Sequence, residues 1–272
     1  DTYHGRARFV GPDTVEVDGS ILKARHVLIA AGARPARLGF PGQEHLVTNE
    51  EFLDMDALPR RIVMVGGGYI AAEFSHIAAR AGAEVTVLQR GGHMLKGFDP
   101  DLVGWLMERF REIGIDVRTN ASVEAVEKVG SGFVVRTRSA EGEQVFHADL
   151  VVHAAGRVPD LDELDLDAAG IEHVEGRLKL NDHLQSVSNL RVYAAGDAAA
   201  VGPPLTPVSS HDAKVVASNL LKGNSHRPDY RGVPSVAFTI PPIARVGLSE
   251  EEARKQGFRF RMKSELVPGW YT

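Results

Sequence analysis

Short apolar runs alternate with amphipathic segments through the middle of the chain. Residues 62–65 form an apolar run that is too short for a helix and is followed by glycines, so it predicts a buried parallel strand. The amphipathic segment 70–81 predicts a helix, and the run 84–88 that follows Gly82 predicts a second strand. Strand, helix and strand of these lengths predict the start of a βαβ unit.

Similar patterns flank this unit and predict a chain that mixes strands and helices. Turn signals such as Gly11-Pro12-Asp13 separate several of the runs. The further predicted strands are 6–10, 14–17, 20–24, 26–31, 115–118, 122–128, 133–137, 144–147, 150–154, 190–195, 234–240 and 244–247. Helices are predicted at 100–113 with Asp99 as N-cap, at 206 to about 221 with Thr206 as N-cap and Pro207 at N1, and at 249–256. The segment 159–188 is predicted to be mostly loop.

The chain contains an internal repeat. A three-strand meander, an apolar strand and the pattern A-A-G-x-x-P occur in this order at both 6–35 and 122–159. Two related α/β units in one chain would explain the repeat. The second unit has its glycine turn and first βαβ, whereas the first has neither. We therefore expect the chain to be a fragment whose N-terminal portion is missing.

The glycine turn after the strand 62–65 carries the most specific chemical signal. Gly66-Gly67-Gly68-Tyr69-Ile70-Ala71 fits G-x-G-x-x-G/A, the turn from strand to helix that binds a dinucleotide. Gly66 permits the tight turn, Gly68 lets the backbone approach a pyrophosphate, and Ala71 is small enough for close helix–sheet packing. The helix start, which includes Ile70, offers free N–H groups and a positive dipole end. The alternative is an ordinary strand–helix turn, but the flanking βαβ pattern favours nucleotide binding.

Composition narrows the class of protein. The 272 residues suffice for two domains, and 43% hydrophobic with 25% charged residues is typical of a globular protein. The net charge of -5 argues against nucleic acid or an anionic membrane as a partner. No apolar run reaches the ~18 residues of a membrane span and no signal peptide is present, which favours the cytoplasm. The absence of cysteine excludes disulfides, thiolate metal sites and thiol catalysis by this chain, and we expect no metal.

Several stretches resemble the FAD- and NAD(P)H-dependent pyridine nucleotide–disulfide oxidoreductases, the family of glutathione reductase, dihydrolipoamide dehydrogenase and mercuric reductase. They are HVLIAAGARP, IVMVGGGYIAAEF, VTVLQR, FDPDL, HAAGRVPD, SNLRVYAAGDAAA, LTPVSSHDAKVVASNLL and VPSVAFTIPPIARVGLSEEEA. The resemblance covers nearly the whole chain. It implies an α/β fold, in which a doubly wound, Rossmann-like NAD(P)H domain is inserted in a partial FAD domain and followed by the start of an α+β dimerisation domain. The implied boundaries are 1–57 and 158–230 for the FAD domain, 58–157 for the NAD(P)H domain and 231–272 for the dimerisation domain.

For the flavin, the resemblance implies a site at the end of the strand in YAAGD. Asp197 matches the aspartate that accepts a hydrogen bond from the ribityl chain, and Gly196 lets backbone come close beside it. The helix that opens at Thr206 matches one whose N-terminus points at the flavin pyrimidine ring, where a reduced flavin carries negative charge. The alternative for Asp197 is a cap on the next turn. The other implied cofactor-binding positions on this side are Ala31, Gly32 and Leu205.

For the nicotinamide, the resemblance implies four positions. Tyr69 matches the aromatic residue that covers the nicotinamide pocket, and Glu73, one turn later, matches a glutamate that pairs with a lysine on the flavin side. These two are the candidate catalytic residues. Because that lysine would lie in the missing segment, we expect Glu73 to be unpaired. Gly156 and Arg157 match the turn that runs past the cofactor; the alternatives are a packing role for Tyr69 and a solvated charge for Arg157.

The identity of the nicotinamide coenzyme depends on the end of the second strand. NAD-specific sites usually place an acidic residue there for the ribose 2′-hydroxyl. Here the strand ends in Val87-Leu88-Gln89-Arg90 without an acid. Arg90 and Lys96 match a pair of cations that hold the 2′-phosphate of NADPH in the family. Lys96 stands where that pattern has arginine, and Gln89 is compatible with NADH, so NADP(H) is preferred and NAD(H) stays open.

The sequence therefore predicts a flavoenzyme that passes a hydride from NAD(P)H, preferably NADPH, through FAD to a disulfide or related acceptor, as a homodimer. The redox cysteines and the acid–base histidine of the family have no match here. We accordingly expect the chain alone to lack disulfide reductase activity and to retain little FAD. The alternatives are a flavoenzyme like the NADH oxidases and ferredoxin reductases, and a stand-alone NADP(H)-binding module without catalysis.

Overall fold

A computed structural model of the chain describes residues 1–265. The last predicted domain, 231–272, thus extends beyond the described residues. The strands are β1 (Ala7–Gly11), β2 (Thr14–Val17), β3 (Ser20–Lys23), β4 (Val27–Ile29), β5 (Ala33–Pro35), β6 (Arg61–Val65), β7 (Glu84–Leu88), β8 (Asp116–Arg118), β9 (Ser122–Val129), β10 (Gly132–Ser139), β11 (Gly142–Ala148), β12 (Leu150–His153), β13 (Arg157–Pro159), β14 (His173–Val174), β15 (Arg177–Leu178), β16 (Val192–Ala194), β17 (Ser235–Ala237) and β18 (Ile243–Arg245). The α-helices are α1 (Asn49–Leu53), α2 (Tyr69–Arg80), α3 (Pro100–Glu112), α4 (Thr206–Lys222) and α5 (Glu250–Lys255).

A four-stranded parallel sheet in the order β12-β6-β7-β8 is the centre of the larger unit. The strands are short apolar runs because both faces of the sheet are covered. Ile62, Met64, Val85 and Val87 face a core shared with α2 and α3. Val63 and Val65 face the opposite core, which the antiparallel meander β9–β11 closes. The α/β class with a parallel sheet, predicted from the sequence, is confirmed.

A second core lies beneath the parallel pair β4 and β16, in which Val27 is opposite Val192 and Ile29 is opposite Ala194. This core also holds Phe9 of the first meander, β1–β3. The predicted strand 190–195 starts two residues later than expected. Asn189 is buried and donates to the carbonyls of Pro12 (2.8 Å) and Ala169 (2.9 Å), which holds the preceding residues in a turn.

The repeated A-A-G-x-x-P pattern forms two short strands, although the sequence predicted only connecting segments there. Its two copies pair with each other as the antiparallel strands β5 and β13, with Arg157 opposite Pro35 and Pro159 opposite Ala33. The chain passes from one unit to the other at these two strands. Helix α1 follows β5 and was not predicted either. It begins with a capping box in which Thr48 and Glu51 satisfy each other's backbone N–H groups.

Two further predictions need correction at the level of single elements. The N-cap of α4 is Leu205 rather than Thr206, and Thr206 is the first helical residue. Leu205 has the extended backbone of a cap residue, and its carbonyl accepts the first helical bonds, from Val208 and Ser209. The predicted loop 159–188 contains a 3-10 turn at Leu166–Ala169 and the short pair β14–β15. The N-cap role of Asp99 in α3 is confirmed, since its carboxylate accepts from Asp101 N at 2.9 Å.

Candidate nucleotide and flavin sites

The glycine turn lies at the carboxyl edge of the parallel sheet, where the strand order reverses. From β6 the chain continues to β7 and β8 on one side, whereas β12 lies on the other side. Gly66 has a φ of +119°, and a Cβ there would lie 2.1 Å from the carbonyl oxygen of Ala154. Only glycine allows β6 to end so close to the end of β12. The turn therefore opens into the crevice at which open α/β sheets bind ligands.

Gly68 and the start of α2 leave a bare backbone in that crevice. Gly68 is the N-cap in an extended conformation, and a Cβ at this residue would meet no atom within 4 Å. The first helical bond runs from Ala72 N to Gly68 O, so the N–H groups of Tyr69, Ile70 and Ala71 have no partner within the helix. No side chain caps this end and its first turn carries no acidic residue. The open space and the free donors fit a pyrophosphate.

The loop 89–98 folds back onto the glycine turn. Leu95 N donates to Gly67 O at 2.7 Å. The Leu95 side chain is buried, and its backbone is left-handed, with a φ of +48°. The side-chain nitrogens of Gln89 and Lys96 both lie within 3.3 Å of the point that a Cβ on Gly91 would occupy. Gln89 and Lys96, two of the three side chains predicted to select the coenzyme, thus lie close together beside the glycine turn. Arg90 precedes Gly91 and is exposed.

Tyr69 and Glu73 start from the same face of α2 but meet different partners. The Tyr69 ring is 37% exposed and stands edge-on to Phe98 of the loop 89–98, with the ring centroids 5.6 Å apart. Glu73 is not unpaired, contrary to the sequence-based expectation. Its Oε1 accepts a hydrogen bond of 2.9 Å from the backbone N–H of Phe238, next to β17. The aromatic residue therefore faces the crevice loop, and the carboxylate joins α2 to the C-terminal strand pair.

The predicted flavin residues meet at the carboxyl ends of β4 and β16. Ala195 N donates to Ile29 O at 3.1 Å, so the two parallel strands end side by side; Ala31 and Gly32 follow β4, and Gly196 and Asp197 follow β16. Gly32 has a φ of +71° and open space at its Cβ position. Asp197 lies in a 3-10 turn, Gly196–Ala198, and is half-buried. Within residues 1–265 its carboxylate accepts no hydrogen bond, which leaves it available to a ligand hydroxyl.

A buried carboxylate that the sequence prediction missed supports this turn. Asp212 of α4 is only 1% exposed and accepts from Gly196 N (3.0 Å) and from the Tyr230 hydroxyl (2.8 Å). Burial and the neighbouring Asp212 carboxylate raise the pKa of Tyr230, so this phenol remains a donor. An aspartate among the apolar positions of a helix is the signal that could have identified it, because a buried charge needs partners. Its partners Gly196 and Tyr230 lie 16 and 18 residues away in the sequence, beyond the reach of a helix-spacing pattern.

The start of α4 adjoins the same turn. A Cβ on Gly196 would lie 2.8 Å from Ser209 Oγ, so the first turns of α4 pack directly on Gly196. At this end Leu205 offers no side-chain cap and the first turn, from Thr206, contains no acidic residue. No acidic residue of this first turn therefore neutralises the positive end of the helix dipole. An electron-rich ring fits this position. This agrees with the prediction from the sequence that Leu205 and Thr206 lie at the flavin pyrimidine ring.

Gly156 and Arg157 lie at the crossing between the two units. Gly156 O accepts from Ala36 N at 3.1 Å, and a Cβ on Gly156 would meet open space. The Arg157 guanidinium donates to Asn49 Oδ1 at 2.9 Å and to the carbonyl of Ala33. Arg157 therefore joins the crossing strands β5 and β13 to α1, although its side chain stays partly exposed. β13 also contacts the 3-10 turn that carries Asp197.

The described part of the chain has neither a metal-binding cluster nor a membrane-spanning helix. Among residues 1–265, no group of three or more histidine, cysteine, aspartate or glutamate side chains could hold a metal ion. None of the helices in that range combines the length and the apolar character needed to cross a bilayer.

Comparison with known proteins places the chain in a family. It is 35% identical to a mercuric reductase of Staphylococcus aureus over 98% of this chain and 49% of that protein. It is 34% identical to a glutathione reductase of Pisum sativum over 93% of this chain and 45% of the relative. The solved HOCl-induced flavoprotein disulfide reductase RclA of Escherichia coli superposes with a TM-score of 0.82 at 27% identity, over 93% of this chain and 58% of that one.

The chain thus spans about half the length of these curated relatives. The profile of one family, described as pyridine nucleotide-disulphide oxidoreductase, matches residues 1–213, which include both bare backbone edges. This match confirms the resemblance inferred from the sequence motifs. The chain belongs to the pyridine nucleotide-disulphide oxidoreductase family.

Proposed function

We propose that this chain is part of a flavoenzyme that takes a hydride from NADPH and delivers reducing equivalents, through FAD, to a disulfide or related acceptor. One observation carries the proposal. The glycine turn opens into the crevice at the reversal of strand order, and Gly68 presents a bare backbone and an uncapped helix start there. Family membership supplies the second cofactor and the type of acceptor.

At the nicotinamide side, residues of this chain bind and orient the coenzyme. The N–H groups of Tyr69, Ile70 and Ala71 bind the pyrophosphate, while Gly68 allows it close approach. The half-exposed Tyr69 ring closes the pocket over the nicotinamide and excludes water until the coenzyme displaces it. Glu73 holds α2 on the C-terminal strand pair through the N–H of Phe238, so its role is to position this helix.

At the flavin side, bound FAD would accept the hydride and pass two electrons on to the acceptor. Asp197 accepts a hydrogen bond from a ribityl hydroxyl, and Gly32 and Gly196 keep the adjacent backbone bare. The uncapped start of α4 at Thr206 stabilises negative charge on the pyrimidine ring. Gly156 and Arg157, at the crossing between the units, hold the two sites in register.

The preference for NADPH over NADH rests on the loop 89–98. Lys96 and Gln89 converge beside the glycine turn, and Arg90 is exposed next to them without an acidic residue at the strand end. A guanidinium and an ammonium together suit a dianionic 2′-phosphate. Gln89 supports the second candidate, NADH, because its amide can bond a ribose hydroxyl.

The experiment is a calorimetric titration of NADP⁺ and NAD⁺ into the unmutated chain, Arg90→Glu and Arg177→Glu. We expect a ten- to hundredfold preference for NADP⁺, about the worth of one or two charge-assisted contacts near solvent. Arg90→Glu reverses it by repelling the phosphate and offering the ribose an acceptor. Arg177 on β15 is also exposed and lies outside the loop 89–98, so its variant controls for the change in net charge. Equal affinities in the unmutated chain would refute the NADPH preference, and no binding of either coenzyme would refute the nucleotide site.

We also infer that the whole protein is a homodimer. The strand pair β17–β18 and its flanks expose Phe238 at 74%, together with Ile240, Val246 and Leu248. Large apolar side chains grouped on one surface are typical of an interface. Sedimentation analysis of the whole protein and of a Phe238→Glu variant tests this; a monomeric unmutated protein at micromolar concentration would contradict it.

A further inference from the structure

Lys96 lies between two backbone anchors, and the second comes from another part of the chain. On one side Leu95 N donates to Gly67 O of the glycine turn at 2.7 Å. On the other side Gly97 O accepts a hydrogen bond of 2.5 Å from Nη1 of Arg245, 148 residues away. The residue that carries the ammonium is therefore fixed at both of its peptide neighbours. This loop contains three glycines, Gly91, Gly92 and Gly97, and needs such anchors to stay ordered.

Arg245 is itself held in a firm frame. It ends β18, whose first residue, Ile243, is buried in the core shared by α2, α3 and the sheet. Its guanidinium also lies 3.7 Å from Glu252 Oε2, and that carboxylate accepts the backbone N–H of Ser249 at the start of α5. Arg245 lowers the pKa of Glu252, after the larger effect of the Ser249 hydrogen bonds, so the carboxylate is ionised at neutral pH. The C-terminal strand pair thus presents a fixed cation to the loop.

We propose that Arg245 is a positioning residue for coenzyme selection: by holding Gly97, it fixes Lys96 where the 2′-phosphate of NADPH binds. This inference rests on the proposed function. A lysine on a loosely held glycine-rich loop must be ordered when the phosphate binds, which lowers the affinity. A lysine on an anchored loop is already in place. NADH has no 2′-phosphate, so its binding does not depend on this anchor.

The test compares the unmutated chain with Arg245→Ala, Arg245→Lys and the control Arg254→Ala. Arg254 is an exposed arginine on α5, and its contacts in the described residues are with Glu250 and Phe260. Its removal changes net charge equally without touching the loop 89–98. Amide hydrogen exchange of the peptides covering 89–98 measures the anchor without any ligand, and titration of NADP⁺ and NAD⁺ measures selection.

We expect faster exchange of 89–98 in Arg245→Ala, with peptides of α2 unchanged. The dissociation constant of NADP⁺ should rise about three- to tenfold, the worth of one partly exposed charge-assisted contact, while that of NAD⁺ changes less than about twofold. Arg245→Lys should restore part of the exchange protection and part of the NADP⁺ affinity. Arg254→Ala should match the unmutated chain in both measurements.

Unchanged hydrogen exchange in Arg245→Ala, or equal weakening of NADP⁺ and NAD⁺ binding by this substitution, would overturn the inference about Arg245. The proposed function would still stand if the unmutated chain prefers NADP⁺. Equal affinity of the unmutated chain for NADP⁺ and NAD⁺ would instead refute that preference, and with it the selecting role of Arg245. In that case the exchange measurement still decides whether Arg245 holds the loop.

Discussion

Gly66 and Gly68 are glycines for different physical reasons, although one sequence motif contains both. A side chain on Gly66 would collide with the backbone of Ala154 in the folded protein itself. A side chain on Gly68 would meet only open space, and the backbone there has a φ of -89°, which any residue adopts. The protein alone therefore explains Gly66. Gly68 is explained only by something that approaches from the crevice.

This difference gives a paired prediction. Gly68→Ala should leave the free energy of unfolding within about 0.5 kcal/mol of the unmutated value and weaken NADP⁺ binding at least about tenfold. Gly66→Ala should cost about 3 kcal/mol or more, because a positive φ and a backbone collision combine. Urea unfolding and calorimetry measure the two effects. Undiminished NADP⁺ affinity in Gly68→Ala would show that no phosphate lies against this residue.

Asp212 shows how a single buried charge can order a binding edge. Its carboxylate joins the Gly196 turn, α4 and Tyr230, with partners that lie 16 and 18 residues from it in the sequence. Tyr230→Phe removes one donor and leaves the carboxylate buried, so we expect a loss of about 1–3 kcal/mol in the free energy of unfolding. Tyr3→Phe, at an exposed tyrosine, should change little. Equal stability of the two variants in urea would mean that water replaces the phenol.

At the scale of elements, the contact between α2 and α3 contains an unusual histidine. His76 is 2% exposed, its ring packs against Phe110 with centroids 5.2 Å apart, and its Nε2 has no hydrogen-bond partner in the described chain. Burial lowers the pKa of His76, and the nearby Arg80 and Arg109 lower it further. The folded protein therefore holds this side chain neutral, in a position where its proton would be poorly accommodated.

The consequence is a dependence of stability on pH. The unfolded histidine takes up a proton below its ordinary pKa of about 6.5, whereas the folded one resists protonation, so stability is lost as pH falls below about 6.5. The slope contributed by one such group is at most about 1.4 kcal/mol per pH unit. Urea unfolding at pH 8, 6 and 5 should show a steeper loss in the unmutated chain and in His4→Gln than in His76→Leu. Identical pH profiles for all three would assign the acid sensitivity to other groups.

Elements were predictable wherever one short-range signal determines them. Asp99 followed by Pro100 predicts the start of α3, and the apolar runs predict β6 and β7 because both faces of the sheet are buried. The pairing of β5 with β13 depends on residues more than a hundred positions apart, and no local pattern encodes it. The Glu73–Phe238 contact likewise joins residues 165 positions apart, and no local pattern predicts the bond from Leu95, whose backbone is left-handed, to Gly67. Motifs located the candidate sites, but the contacts that support them are long-range.

At the scale of the whole molecule, the nucleotide unit is attached at two places. The crossing strands β5 and β13 connect it to the unit that carries Asp197, with Arg157 fastening them to α1. The strand pair β17–β18 packs on α2 and α3, where Ala237 and Ile243 enter their core. Both attachments end beside the crevice, one at Gly156 and the other at Gly97. The backbone at the crevice and the packing of the neighbouring units are therefore structurally linked.

The last prediction separates nucleotide binding from disulfide chemistry in this chain. Reduction of a disulfide by thiol exchange needs an attacking thiolate, and the 272 residues contain no cysteine. The glycine turn and α2, in contrast, are complete. We expect the purified chain, with FAD added, to bind NADP⁺ in calorimetry and yet to release no thiol from glutathione disulfide or lipoamide with NADPH. Binding of NADP⁺ in the same sample is the control that the protein is folded. Thiol release above the rate without protein would show that electrons reach the acceptor without a cysteine of this chain, and the disulfide step would then need a different chemistry.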